Sequence, residues 1–395
     1  MKAVVSLNSG SSSIKFALFT LDDEGAPVLS AGGKIEGIGI APRLVARSVD
    51  GSVVLDRDWA GGVGLGHAAL LEDLFGWAGG HLEGYEVLAI GHRVVHGGTD
   101  FAAPRRVDDA LLAALETLCP LAPLHQPHNL AAIRAIAALR PDLPQIACFD
   151  TAFHHDRPEL ATRLAIPREL HAQGIRRYGF HGLSYEYIAR RLAEIDPETA
   201  KGRVIAAHLG NGASLCAMRG GRSVDTTMGF TALDGLMMGT RCGSIDPGVV
   251  LHLQTQMGMS AAEVEQMLYR KSGLLGVSGV SSDMRALSES ASPDAEEAIA
   301  LFVWRAAREA GALIACIEGL DGLVFTAGIG ENHAAVRARI CARLAWAGIE
   351  IDADANARNA ERISTPGSRI AVYVIPTDEE RMIALHTLNV VKAAA

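Results

Sequence analysis

The sequence predicts an α/β protein of two similarly built halves, and three observations carry that expectation. Ala3-Val4-Val5-Ser6-Leu7 runs through Asn8-Ser9-Gly10-Ser11-Ser12-Ser13 into Ile14-Lys15-Phe16-Ala17-Leu18-Phe19, a strand, a small-residue turn and a second strand. The design returns where Val204-Ile205-Ala206-Ala207-His208-Leu209 passes through Gly210-Asn211-Gly212-Ala213-Ser214 into Leu215-Cys216-Ala217-Met218, which implies a duplication. Elsewhere, strand-like runs alternate with helix-period segments, as in sheets covered by helices. Aromatic residues are only 5% of the 395, so Ala, Val, Ile and Leu build the cores, and a chain of that length is expected to form two of them.

The elements follow in order. After the first hairpin, residues 22–66 mix glycines with short β-like runs such as Val53-Val54-Leu55. Val87 to Val95 reads as a buried strand ending at Gly97-Gly98. Asp108 is placed to cap a helix with Leu111, Leu112, Leu115 and Leu118 on one side, and a second helix over 129–139 stops before Pro141. Gln145-Ile146-Ala147-Cys148-Phe149 then delivers Asp150 at the strand end where open α/β sheets hold ligands. Further on, Ser184 is expected to cap a helix carrying Ile188 and Leu192. A long helix covers 295–319, and Val336, Ile340 and Leu344 mark another that ends at Gly348. Arg369 to Ile375 is a last strand, and Asp378 starts a C-terminal helix that returns to cover the first half. The expected domains are 1–150 plus 380–395, and 151–379.

A formal net charge of −9 argues against a nucleic-acid or anionic-membrane partner, since both need a basic face. No apolar run reaches the ~18 residues of a membrane span. The N-terminal apolar stretch is interrupted at Asn8 and lacks a cleavage pattern, so cytoplasmic residence is expected. Cys119, Cys148, Cys216, Cys242, Cys316 and Cys341 have no Cys-x-x-Cys spacing and read as packing residues. His125-x-x-His128 and His154-His155 lack a convincing third metal ligand.

Three glycine segments suit anions. In Asn8 to Lys15, Gly and Ser let successive N–H groups face one concavity and Lys15 adds a point charge, although the same residues also make an ordinary polar hairpin tip. Gly210-Asn211-Gly212 is the second. Gly328-Ile329-Gly330-Glu331-Asn332, a turn between the apolar run Leu323 to Ala327 and a helical pattern from His333, is the third. Arg93 and Arg241 both sit among apolar and glycine residues, where a cation needs an anionic partner. That partner is either a structural aspartate or a bound carboxylate or phosphoryl group, which guanidinium forks match.

These segments, with Phe149-Asp150-Thr151-Ala152-Phe153-His154, Tyr178-Gly179-Phe180-His181-Gly182, Met228-Gly229-Phe230-Thr231 and Gly239-Thr240-Arg241-Cys242-Gly243-Ser244-Ile245-Asp246-Pro247, resemble the acetate kinase family in order and spacing, nearly end to end. The resemblance implies a ribonuclease H-like fold of the acetate and sugar kinase, chaperone and actin type, with two duplicated domains around a central cleft, acting as a homodimer. It also implies reversible transfer of the ATP γ-phosphoryl group to acetate, giving acetyl phosphate and ADP, with Mg2+, or Mn2+ in its place. Asn8 and Glu379 match metal-associated positions, with Glu380 adjacent to the latter. Lys15, His208, Leu209, Gly210, Asn211, Gly212, Asp283, Met284, Arg285, Gly328, Ile329, Gly330, Glu331 and Asn332 match nucleotide-binding positions, with Asp283 equally readable as a helix cap. Arg93 matches the residue that grips the carboxylate, and Asp150, His181 and Arg241 match catalytic positions. Acetate is already ionised at neutral pH, so Asp150 is expected to position magnesium or orient the arginines rather than act as a base.

By the same resemblance, Val95, Leu124, Phe180 and Ala232 line the apolar pocket for the methyl group. Three departures bear on specificity. Gln126-Pro127-His128 stands where Asn-Pro-Pro is usual, Gly182-Leu183-Ser184-Tyr185 where Gly-Thr-Ser-His is usual, and Ala232 where proline is common. The smaller Ala232 widens the wall, and with roughly 1–3 kcal/mol per methylene at stake, propionate becomes a candidate second substrate. Two rival readings are a nucleotide-gated ATPase, which needs no apolar pocket ending in two cations, and a sugar kinase, which needs hydroxyl-reading groups and a true base.

Overall fold

The computed structural model describes residues 1–10, 13–59, 64–81, 84–123 and 125–394. Ser11 and Ser12 of the first turn and the pocket candidate Leu124 lie outside these described residues. The chain divides into two compact units, Met1–Ala152 with Asp378–Ala395, and Phe153–Thr377.

In the first unit an eight-stranded sheet contains β1 (Lys2–Ser9), β2 (Ser13–Leu21), β3 (Pro27–Glu36), β4 (Arg43–Ser48), β5 (Val53–Asp58), β6 (Glu86–Val94), the two-residue β7 (Arg105–Arg106) and β8 (Gln145–Phe149). Their spatial order is β5-β4-β3-β2-β1-β6-β8-β7. The second unit holds β9 (Arg203–Leu209), β10 (Ala213–Arg219), β11 (Arg222–Thr226), β12 (Gly322–Thr326) and β13 (Ala371–Val374), in the order β11-β10-β9-β12-β13. Each unit thus carries three antiparallel strands followed by two parallel ones, β3-β2-β1-β6-β8 in the first and β11-β10-β9-β12-β13 in the second. This shared order is the duplicated α/β fold that the two hairpins foretold. The parallel strands β8, β12 and β13 are buried along their whole lengths, as strands covered on both faces must be.

Helices cover both faces of the first sheet. Leu70, Leu71 and Leu74 of the helix His67–His81, with Ile136 of the helix Gln126–Leu139, pack on Leu7, Ile14 and Ile35. On the other face the C-terminal helix Glu379–Ala394 packs Ala384 and Leu388 on Val4, Ala17 and Phe19. It runs so close to β6 that a Cβ on Gly91 would lie 2.1 Å from Thr387 Oγ1. The cap at Asp108 is present, its side chain accepting from Leu111 N at 2.7 Å.

In the second unit two expectations are corrected. Ser184 does not cap its helix: the helix runs Gly182–Ile195, with His181 in the cap position in a left-handed conformation (φ 58°), and Ser184 is buried in the first turn. The glycine segment after β12 is not a turn but a short helix, Ala327–Asn332, followed by the helix Ala334–Arg343. The long helix is Pro293–Cys316, with the Ser292 side chain accepting from Asp294 N. Among the described residues no helix is long and apolar enough to cross a membrane.

Candidate active site

In the first unit, parallel pairing brings the ends of β1, β6 and β8 side by side, with Leu7 opposite His92 and Val94 opposite Phe149. Asn8, Arg93 and Asp150 therefore emerge at one sheet edge. Arg93 Nη2 donates to Asp150 Oδ2 at 2.8 Å and Nη1 to Asn8 Oδ1 at 3.4 Å, while Nε is 3.9 Å from Glu379 Oε2. The aspartate reading of Arg93 is thus realised, yet Arg93 Nε has no hydrogen-bond acceptor, so the fork is not fully used. Burial opposes the guanidinium charge, and the Asp150 and Glu379 carboxylates overcome it, holding the Arg93 pKa above its ordinary value. Burial, with Asp150 and Glu380 nearby, pushes the Glu379 carboxyl up to about 7 against the pull of Arg93 and Lys15. Lys15 is exposed and lies opposite Asn8 in the hairpin.

Beyond the end of β6, two polar side chains of the helix Gln126–Leu139 hold the backbone. Asn129 Nδ2 donates to Ser9 O at 2.6 Å and its Oδ1 accepts from Val95 N at 3.0 Å. Gln126 Oε1 accepts from His96 N at 3.1 Å and Nε2 donates to His96 O at 3.0 Å. The sequence reading gave neither a role. Their signal was two buried-type positions, i and i+3 in an apolar helix, occupied by amides. Val95 itself is buried.

In the second unit, His181 and Arg241 converge on Gly212. A Cβ there would lie 2.7 Å from Arg241 Nη2 and 3.3 Å from His181 Nε2. Arg241 is steadied by donation from Nη1 to Ala232 O at 2.5 Å. The His181 ring stacks on His208, centroids 4.0 Å apart, and His208 Nδ1 is 2.8 Å from Ser184 Oγ. Asn211 packs against the backbone of the Arg241 segment, its carbonyl accepting from Gly239 N at 3.0 Å, with no room for a Cβ on Gly239. Leu209 is buried at the end of β9, and Gly210 N donates to Gly212 O. Phe180 is buried, while Ala232 is half-buried.

The remaining nucleotide candidates lie on short helices. Glu331 Oε1 accepts from Ala327 N at 2.8 Å and from Thr377 N at 3.1 Å, and Asn332 Nδ2 donates to Gly328 O. Gly328 faces open space, whereas Gly330 is buried and Ile329 half-buried. Arg337, which the sequence reading passed over, is wholly buried and donates to Gly330 O, Glu331 O, Asn356 Oδ1, Asn356 O and Asn359 Oδ1, fixing the end of that helix. Asp283 Oδ1 accepts from Arg285 N at 2.7 Å and Ala286 N at 3.2 Å, which is the cap geometry. Met284 is buried, and exposed Arg285 pairs with Glu289.

Among the described residues no three acidic, imidazole or thiol groups form a closed metal site. Asn8 and Glu379 nonetheless fit a hard cation bound largely through water and phosphate: both offer oxygens, and both lie beside Arg93.

Residues 3–385 match the profile of the Acetokinase family. An acetate kinase of Nitrobacter hamburgensis is 52% identical over 98% of this chain and 96% of its own length, and one of Rhodopseudomonas palustris 54% over 96% of each. Among solved structures, a propionate kinase from Francisella tularensis superposes with a TM-score of 0.91 at 38% identity, covering 98% of this chain and 100% of that one. An acetate kinase from Porphyromonas gingivalis gives 0.87 at 37%, covering 99% and 100%. The fold therefore has counterparts over almost the entire length, and the chain belongs to the acetokinase family.

Proposed function

We propose that this chain is a phosphotransferase that moves the γ-phosphoryl group of ATP reversibly to acetate, giving acetyl phosphate and ADP. The observation that carries the reading is Arg93, ordered by Asp150 at the strand ends while its side chain stays 17% exposed. Convergence of Arg241 and His181 over Gly212 in the second unit supports it independently. In the reaction, Arg93 pairs with the acetate carboxylate and Asp150 orients Arg93. An acetate oxygen forms its bond to the γ-phosphorus as the bond to the bridging oxygen of ADP breaks. Arg241 and His181 donate to the equatorial oxygens, where charge accumulates. Asp150 has no proton to remove from ionised acetate.

Nucleotide binding is assigned to Lys15, the segment His208 to Gly212, Asp283 to Arg285, and Gly328 to Asn332. Mg2+, or Mn2+, held through Asn8 and Glu379 would offset phosphate charge. The family resemblance assigns Val95, Leu124, Phe180 and Ala232 to the methyl group, and Ala232, lacking a proline ring, admits propionate as a second substrate. A relative named propionate kinase, at TM-score 0.91, supports an acceptor range of short carboxylates. We extend the reading to a cytoplasmic homodimer. Exposed Val249 and Leu251 on the helix Pro247–Thr255, with Met257 beyond it, support self-association, which sedimentation equilibrium would test.

Trapping the acyl phosphate as a hydroxamate, across carboxylates of increasing length and with or without Mg2+, tests the proposal. Hydroxamate is expected with acetate, with propionate in second place, and only with the metal. Steady ATP consumption without any carboxylate would overturn the reading in favour of a gated ATPase.

A further inference from the structure

We infer that Tyr185 is a positioning residue that fixes which nitrogen of His181 carries the proton, acting through Ser214. The inference rests on the phosphotransfer reading only for its functional consequence. His181 Nδ1 is 2.8 Å from Ser214 Oγ, and that same oxygen is 2.5 Å from Tyr185 Oη. Tyr185 and Ser214 are both completely buried, so water does not compete for these bonds. The phenol is the stronger acid of the two hydroxyls and donates to Ser214 Oγ; the serine, having accepted, directs its single hydrogen to Nδ1. Nδ1 is then an acceptor, and the ring proton resides on Nε2.

Nε2 is the atom that faces Gly212 beside Arg241 Nη2. The relay therefore aims a neutral N–H, not a lone pair, at the place where a phosphoryl oxygen would lie. Two further features hold the ring while the tautomer is set. The His181 backbone is held in the left-handed conformation, and the His208 ring lies flat against the His181 ring, tilted 14°. Placing Tyr185 one turn after His181 on the helix Gly182–Ile195 lets both side chains reach the same hydroxyl on β10.

The test is nitrogen-15 NMR of the protein labelled at histidine, reading the tautomer of neutral His181, with its resonance assigned by loss in His181→Asn. The native chain is expected to show Nε2–H. Tyr185→Phe is expected to show a mixture of tautomers, a roughly tenfold lower kcat with the KM for ATP and acetate unchanged, and an altered pH profile of kcat. Ser214→Ala should do the same, which guards against one variant failing to fold. Native protein with the proton on Nδ1, or a Tyr185→Phe protein that keeps the native tautomer, overturns the inference. The tautomer is read without substrate, so it stands or falls separately from the hydroxamate assay.

Discussion

Arg93 and Asp150 form a pair whose two members have unequal exposure: Asp150 is fully buried, while the arginine side chain remains 17% exposed. The carboxylate is therefore a fixed anchor and the guanidinium the working end. Asp150→Asn keeps the shape and loses the charge, and a charge-assisted hydrogen bond of about 1.5–3 kcal/mol translates into a roughly 10–100-fold lower kcat/KM for acetate. Initial rates at varied acetate check this; an unchanged kcat/KM would remove Asp150 from the account. Gly212→Ala inserts a methyl group within 2.7 Å of Arg241 Nη2 and is expected to lower kcat by at least tenfold while leaving the melting temperature within a few degrees. Both arginines were legible because a cation among apolar residues announces a need. Gln126, Asn129 and Ser214 were not, because their partners are backbone groups or rings far away in sequence.

Strand β6 and the segment just after it carry a pH dependence of their own. His92 is buried with Nε2 at 2.7 Å from Gln145 Oε1, and burial holds its pKa down to about 4 despite that bond; His96 is likewise lowered to about 4 by burial. The unfolded chain binds protons on both imidazoles near pH 6.5 while the folded chain does not. Their contribution to stability is thus complete above pH 6.5 and lost as pH falls toward 4. Urea midpoints measured over that range should decline, and His92→Gln should flatten part of the slope; an unchanged slope would show that His92 is protonated without penalty. Beside it, Gly91→Ala presses a methyl group onto Thr387 and Ile383 and should cost about 1–3 kcal/mol, part of which Thr387→Ala restores in the double variant. Caps read directly from sequence succeeded where the side chain had no other use, as at Asp108. At Ser184 the hydroxyl is engaged by His208 and Thr377, so the helix starts without it.

Across the whole chain, the duplication visible as two small-residue hairpins extends to a shared five-strand order, while the first unit adds β4, β5 and β7 at the edges of its sheet. The division of labour proposed here gives the acceptor carboxylate to the first unit and the reacting phosphoryl group chiefly to Arg241 and His181 of the second. Sequence made the strand ends legible because glycine and aspartate punctuate them. It did not reveal that Ala327 to Asn332 is helical, since Glu331 reaches back to cap Ala327 and forward to Thr377, contacts that glycine content conceals. The most direct measurement is steady-state kinetics of Arg93→Lys, which keeps the cation beside Asp150 and removes the fork. The account predicts that the KM for acetate rises at least tenfold while the KM for ATP stays within about twofold. A raised KM for ATP with acetate binding intact would contradict it.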